Sequence, residues 1–219
     1  MPTSLLRKAE PPGKEKHERT SQHSLRNGKN NRRYYYLCWR KPYKHEKPGY
    51  KVLDARGNVL LPGFVDSHTH LVFGGFRPDE FIWRLNGDSY MSIMERGGGI
   101  INTVRATREA SFEELKHKAE WFLDTMSRMG VTTVEGKSGY GLDRDTELKQ
   151  LSVMQVINEC PDRKVDIATT FLGAHALPEE YKGRSDAYID FLINEMLPMI
   201  HQKQLAENCD ISVKKGYSL

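Results

Sequence analysis

Apolar residues are scattered without order up to about residue 49 and then fall into short hydrophobic runs that alternate with longer amphipathic ones. The opening stretch 1–49 is polar and shows no sustained helical or strand period. Its Tyr34-Tyr35-Tyr36 run stands alone among charged residues, so the segment is expected to be disordered. From Tyr50 the text changes: Lys51-Val52-Leu53-Asp54 leads to a Gly57-Asn58 turn, then Val59-Leu60-Leu61, Pro62-Gly63 and the apolar Phe64-Val65, which reads as strands separated by turn residues. The spacing predicts a helix over 78–86 and a second over 111–129, where Ser111 and Glu114 form a capping box and Gly130 supplies the stop. Val131-Thr132-Thr133-Val134 is a β-branched strand, 143–160 is helical, 165–172 is a strand and 185–196 is a helix. Pro198 opens a further short helix, as proline does at a first helical position.

Strands that alternate with helices of this length indicate parallel βαβ units, hence an α/β protein built as a barrel or a doubly wound sheet. Three or four such units are present. A complete (β/α)8 barrel takes about 250 residues, so the 219 residues here are too few for a whole barrel with a flanking domain.

The net charge of +4 is unevenly placed. Residues 1–50 hold 13 of the 33 Lys/Arg but only 4 of the 29 Asp/Glu, which leaves 20 against 25 in the body. A mildly acidic body with no recognition module gives no case for nucleic acid as a partner. Cys38, Cys160 and Cys209 are widely spaced, with no Cys-x-x-Cys pair, which argues against a disulfide framework or a cysteine zinc site and fits a reducing cytoplasm. No apolar run approaches the roughly 18 residues a membrane span needs, and no apolar leader follows Met1.

The richest chemistry lies in Gly63-Phe64-Val65-Asp66-Ser67-His68-Thr69-His70. Histidines at i and i+2 on a strand share a face and can share one cation. At the C-terminal end of a barrel strand that face opens on the active site. Gly136-Lys137-Ser138 resembles the end of a phosphate-binding loop, but position 131, where the first glycine belongs, is Val, and Gly139-Tyr140-Gly141 breaks any helix that should follow. Gly97-Gly98-Gly99 reads as a flexible loop, and His117 and His201 sit in helices without a motif and are surface residues.

An apolar strand ending in Asp-x-His-x-His, here Asp66 to His70, resembles the opening of an amidohydrolase-superfamily barrel. Within that superfamily four stretches are similar to the imidazolonepropionase family. They are Leu-Val-Phe-Gly-Gly-Phe-Arg77-Pro-Asp-Glu-Phe81 after His70; Gly97-Gly98-Gly99-Ile100 with Thr103-Val104-Arg105-Ala106-Thr107-Arg108; Glu135-Gly-Lys-Ser-Gly-Tyr140-Gly141-Leu142; and Thr170-Phe171-Leu172-Gly173-Ala174-His175-Ala176. The resemblance covers about residues 50–210. It implies a partial (β/α)8 TIM-like barrel of the amidohydrolase type, incomplete at both ends, with one divalent metal, zinc or iron, held by His68 and His70. It also implies substrate binding by Arg77, Tyr140 and His175, and hydrolysis of the cyclic amide 4-imidazolone-5-propanoate to N-formimidoyl-L-glutamate in histidine degradation. The residue types suit those roles: a planar guanidinium matches a carboxylate, and a phenol and an imidazole can hydrogen-bond a heterocycle.

Residues 1–49 and 211–219 do not resemble the family, and the third metal histidine and the proton-transfer groups that the family implies fall beyond this chain, so its catalytic residues are unassigned. Two rival readings stay open at this point. One is another cyclic-amidase or deaminase of the same superfamily, favoured if Arg77, Tyr140 and His175 do not converge on one pocket. The other is a non-catalytic fragment.

Overall fold

In the computed structural model, residues 59 and 61–212 are described, together with the backbone of two strands in the basic opening, Thr20–Asn27 (β1) and Asn31–Cys38 (β2). The chain divides into two compact units, Met1–Leu60 and Leu61–Leu219. In the first, β1 and β2 pair antiparallel, from Thr20 opposite Cys38 to Asn27 opposite Asn31. The sequence reading found no strand period here, because antiparallel pairing rests on main-chain hydrogen bonds and needs no apolar alternation to form. The rest of 1–58, with the strand expected at 51–54, lies outside the described residues, as does the tail 213–219.

The second unit runs β3 (Phe64–Thr69), α1 (Pro78–Leu85), α2 (Tyr90–Glu95), α3 (Ile100–Glu109), α4 (Phe112–Arg128), β4 (Val131–Lys137), α5 (Arg144–Glu159), β5 (Asp166–Ala174), α6 (Ser185–Phe191), α7 (Leu197–Lys203) and β6 (Asn208–Ile211). The four strands form one curled parallel sheet in the order β3-β4-β5-β6. The α/β class read from the alternation is what the unit has, and a curled parallel sheet with helical crossovers is compatible with part of a barrel. No described helix is long and apolar enough to cross a membrane.

Local chemistry accounts for most of the boundaries. The Ser111 hydroxyl accepts from the Glu114 amide at 3.2 Å while the Glu114 carboxylate accepts from the Ser111 amide at 2.8 Å, which starts α4 where the capping box predicts. Ser111→Ala is therefore expected to cost about 1 kcal/mol of stability, measurable as a lowered chemical-denaturation midpoint. Strand β4 runs three residues past the expected 131–134, because beyond Val134 the alternation continues in residues that do not look strand-like. Gly136 faces Met154 and Ile167 on the helix side, while Glu135 and Lys137 face the opposite way. Helices α2 and α3 were not anticipated: α2 has six residues, and the buried face of α3 is Thr103, Val104 and Thr107, which reads as polar. The expected helix over 185–196 passes through a π-helical turn, Leu192–Met196, into α7. Pro198 explains the widened turn, since it lacks an N–H and its ring crowds the carbonyl four residues back.

The core lies between sheet and helices. Leu115, Ala119 and Leu123 of α4, Leu151, Met154 and Ile157 of α5, and Tyr188, Leu192, Met196 and Ile200 of the α6–α7 segment pack with Val134, Ile167 and Phe171 of the strands. The segment after β3 passes so close to α3 that a Cβ on Gly74 would sit 2.2 Å from the Ala106 carbonyl oxygen, so only glycine fits there. Its amide donates to Thr107 Oγ1 at 2.9 Å, which ties the chain between His70 and Arg77 to α3.

Candidate active site

Three strand ends bring the chemistry together. His68 lies in β3 and His70 directly follows it, Tyr140 follows β4, and His175 follows β5. The His70 ring stacks on His175 with centres 4.5 Å apart and lies 4.7 Å from Tyr140 and 5.6 Å from His68; Tyr140 and His175 are 5.3 Å apart. Parallel strands align these ends because each crossover returns the chain to the same edge of the sheet.

The two histidines of the His-x-His pair fit a shared cation in their spacing. Imidazoles on one tetrahedral zinc have ring centres about 5 Å apart, given metal–nitrogen distances near 2.0 to 2.1 Å. His70 Nδ1 is buried and makes no hydrogen bond, so a polar atom awaits a partner there. Burial, followed by the nearby His175 and His68 rings, lowers the His70 pKa to about 4, with the Ser138 main chain opposing. The ring is thus neutral at pH 7, the form that ligates metal. Among the described residues no group of three or more His, Cys, Asp or Glu side chains is placed to hold a metal ion.

Arg77 stands at the N-terminus of α1, where its Nη1 pairs with Glu80 Oε2 at 3.0 Å. The same carboxylate accepts the Gly99 amide through Oε1 at 2.6 Å, so the triple glycine is anchored at the start of α3 rather than a free loop. Arg77 is not in the ring cluster, but its charge reaches Tyr140: burial raises the phenol pKa and the Arg77 guanidinium opposes that rise. Lys118 of α4 lies 3.6 Å and 3.8 Å from the Phe73 and Phe76 ring centres and donates to the Gly75 carbonyl, which pins the loop that leads to Arg77. Its burial lowers its pKa to about 8. His117 and His201 are exposed, as read from the sequence.

Sequence reasoning passed over a buried cation on the strand face that carries these groups. Lys137 Nζ pairs with Glu135 Oε1 at 2.7 Å and Asp210 Oδ2 at 2.8 Å, and Thr170 Oγ1 donates to the same Glu135 oxygen at 2.7 Å. The i, i+2 spacing of Glu135 and Lys137 was the available signal, since it puts both on one face of β4. This also removes the phosphate-loop resemblance, because Lys137 is inside a strand and already paired.

Fold and site define a class: an α/β chain whose parallel strands gather histidines, a tyrosine and an ion-pair network around a buried lysine at their C-terminal ends, with an arginine in electrostatic reach. No family model matches the chain. Curated relatives do, among them the following three. The imidazolonepropionase of Phocaeicola vulgatus is 97% identical over 172 residues, 78% of this chain and 42% of that protein. That of Bacteroides thetaiotaomicron is 66% identical over 163 residues, 74% of this chain and 39% of that protein, and that of Clostridium tetani is 56% identical over 173 residues, 79% and 41%. Across the matched stretch the chain belongs to the imidazolonepropionase family. It spans about two fifths of the length of the curated relatives it matches.

Proposed function

We propose that this chain carries the first strands and part of the active site of a cytoplasmic amidohydrolase-type enzyme that opens the ring of 4-imidazolone-5-propanoate to give N-formimidoyl-L-glutamate. The observation that supports this most is the meeting of His70, Tyr140 and His175, drawn from three separate sequence motifs, within 4.5 to 5.3 Å of one another. A cyclic-amidase or deaminase of other specificity is the rival if Arg77, Tyr140 and His175 do not converge on one pocket; Tyr140 and His175 meet while Arg77 stands apart on Glu80, and it is the names of the relatives that favour imidazolonepropionase.

In this reading His68 and His70 hold one divalent ion, zinc or iron, with donors outside this chain. Such an ion would supply Lewis acidity toward the ring carbonyl and toward a water nucleophile at neutral pH. Arg77 receives the propanoate carboxylate in a charge-assisted, two-point contact. Glu80 already holds the guanidinium in place for it. Tyr140 donates from its hydroxyl to the heterocycle. His175 donates from Nδ1 to the Gly139 carbonyl at 2.8 Å, which fixes the orientation of its ring.

The test uses a completed enzyme in which this chain's matched residues replace the corresponding 172 residues of the Phocaeicola vulgatus relative. Arg77→Ala there is expected to raise KM for 4-imidazolone-5-propanoate about 10- to 100-fold, the size of one lost charge-assisted contact, with Arg77→Lys intermediate. An unchanged KM in both variants refutes the carboxylate assignment.

A further inference from the structure

We infer that Glu147 is a positioning residue of this site: its buried carboxylate shapes the loop 138–142, which aims Tyr140 and fixes the orientation of His175. The inference rests on the function proposed above and goes beyond the residues that would touch metal or substrate.

Glu147 lies in the first turn of α5 and is 1% exposed. Oε1 accepts the amides of Gly139 at 3.1 Å, Gly141 at 2.9 Å and Leu142 at 2.9 Å, while Oε2 also accepts from Gly139 at 3.1 Å. A backbone that turns three amides toward one carboxylate must curl tightly. It does so with positive φ at Gly139 (107°) and at Leu142 (57°). Leu142 has a side chain, so its left-handed conformation costs of order 1 kcal/mol or more and persists only where surrounding contacts over-determine it. The carboxylate provides those contacts.

The loop delivers two groups to the site. Tyr140 stands between Gly139 and Gly141, whose amides turn inward, and its ring meets His70 and His175. Its own amide donates to Gln150 Oε1 at 3.3 Å, and Gln150 Nε2 donates to the Val72 carbonyl at 2.6 Å, two residues beyond His70. Gln150 is fully buried one turn after Glu147, so one face of α5 ties the Tyr140 loop to the segment that follows the His-x-His pair. The Gly139 carbonyl then holds His175 Nδ1 and thereby sets its tautomer. A glutamine side chain in place of Glu147 would fill the same space but offers one acceptor oxygen, and its amide nitrogen would face donors. The contact to Gly139, which carries the His175 link, is the one placed on both oxygens and the one expected to suffer.

The test is a double-mutant cycle in the completed enzyme. Glu147→Gln is combined with Tyr140→Phe, and Val153→Ala, a fully buried core change elsewhere on α5, serves as a control for stability loss alone. Glu147→Gln is expected to lower kcat/KM tenfold or more and to shrink the effect of Tyr140→Phe at least threefold, whereas Val153→Ala leaves that effect unchanged. Equal Tyr140→Phe factors with and without Glu147→Gln overturn the inference. If Glu147→Gln does not fold, Gln150→Leu, which removes the Tyr140 bond and the Val72 bond together, must show the same coupling. A second arm needs no turnover: 15N NMR of the completed enzyme is expected to show His175 in its Nδ1–H tautomer, and a mixture in Glu147→Gln. An unmoved tautomer also overturns the inference. Failure of the unsubstituted completed enzyme to open the ring is a different outcome. It overturns the functional proposal, and the NMR arm still decides the positioning.

Discussion

Replacing Lys137 by Met is expected to destabilise the β3–β6 unit by about 2–3 kcal/mol at pH 7, with the loss fading in acid. Removing one partner of a buried ion pair typically costs about 3–5 kcal/mol, because the other charge is left without compensation. Here the lysine side chain is 5% exposed while its partners Glu135 and Asp210 are 25% and 44% exposed. Water can therefore take over part of the solvation of the abandoned carboxylates, which places the cost below that range. The pH dependence follows from the carboxylates. The hydrogen bond from Lys137 holds Asp210 below the ordinary aspartate value. Burial pushes Glu135 upward, but hydrogen bonds from Lys137 and Thr170 outweigh it and the net shift is down. A folded-state pKa that is depressed contributes stability above the unfolded pKa, near 4 for these groups, and loses it as pH falls through the folded value. Lys137 is itself shifted up, burial being overcome by its bonds to Asp210 and Glu135, so its own contribution is lost only above the lysine range. The difference in unfolding midpoint between the natural chain and Lys137→Met should thus be full at pH 7 and shrink below about pH 4. A difference that stays constant down to about pH 3 contradicts the ion-pair account and leaves only packing.

The chain's organisation was legible where a short-range rule carried it. Ser111 with Glu114 marked the start of α4, Pro198 marked a break in the last long helical segment, and the β-branched run at 131 marked β4. What escaped was set by contacts distant in sequence. Thr103 and Thr107 form part of the buried face of α3 because Thr107 bonds the Thr103 carbonyl and the Gly74 amide, and that face cannot be seen in hydropathy alone. Lys137 is polar in the text and buried in the fold only because Asp210, 73 residues on, arrives beside it. The site was read through motifs whose residues lie on four segments, and three of those, with His70, Tyr140 and His175, meet. Arg77 was named as an anion clamp from its type, but the sequence could not show that Glu80 would hold it and also anchor Gly99. Glu147 and Gln150 were invisible for a related reason: on an amphipathic helix a glutamate and a glutamine are ordinarily solvent-facing, and only the loop 138–142 turns them into buried acceptors.

The 219-residue chain alone is expected to give no measurable ring opening of 4-imidazolone-5-propanoate, whereas the completed enzyme turns it over and His68→Ala in that enzyme returns the rate to background. Catalytic zinc sites ordinarily have three protein ligands. The described residues offer the His68 and His70 imidazoles and no cluster of three. General acid and base groups, which typically contribute about 10² to 10⁴ in rate, are also unassigned within the chain. The matched stretch amounts to 42% of the Phocaeicola vulgatus enzyme, which leaves ample length for both. The sheet points the same way. Its outer strands β3 and β6 have no further strand paired to them among the described residues, and they present Phe64, Val65 and Ile211 at 59%, 64% and 57% exposure. Open strand edges beside exposed apolar side chains recruit other chains, so the isolated polypeptide should self-associate at concentrations where the completed enzyme does not. Metal affinity provides a separate readout. With two imidazoles the chain should bind zinc weakly, and adding the remaining barrel should tighten binding by orders of magnitude, an increase that His68→Ala removes. Robust, chelator-sensitive turnover by the 219-residue chain, lost in His68→Ala, would show that a second copy or a solvent ligand completes the metal shell. It would refute the incompleteness argument while leaving the family membership untouched.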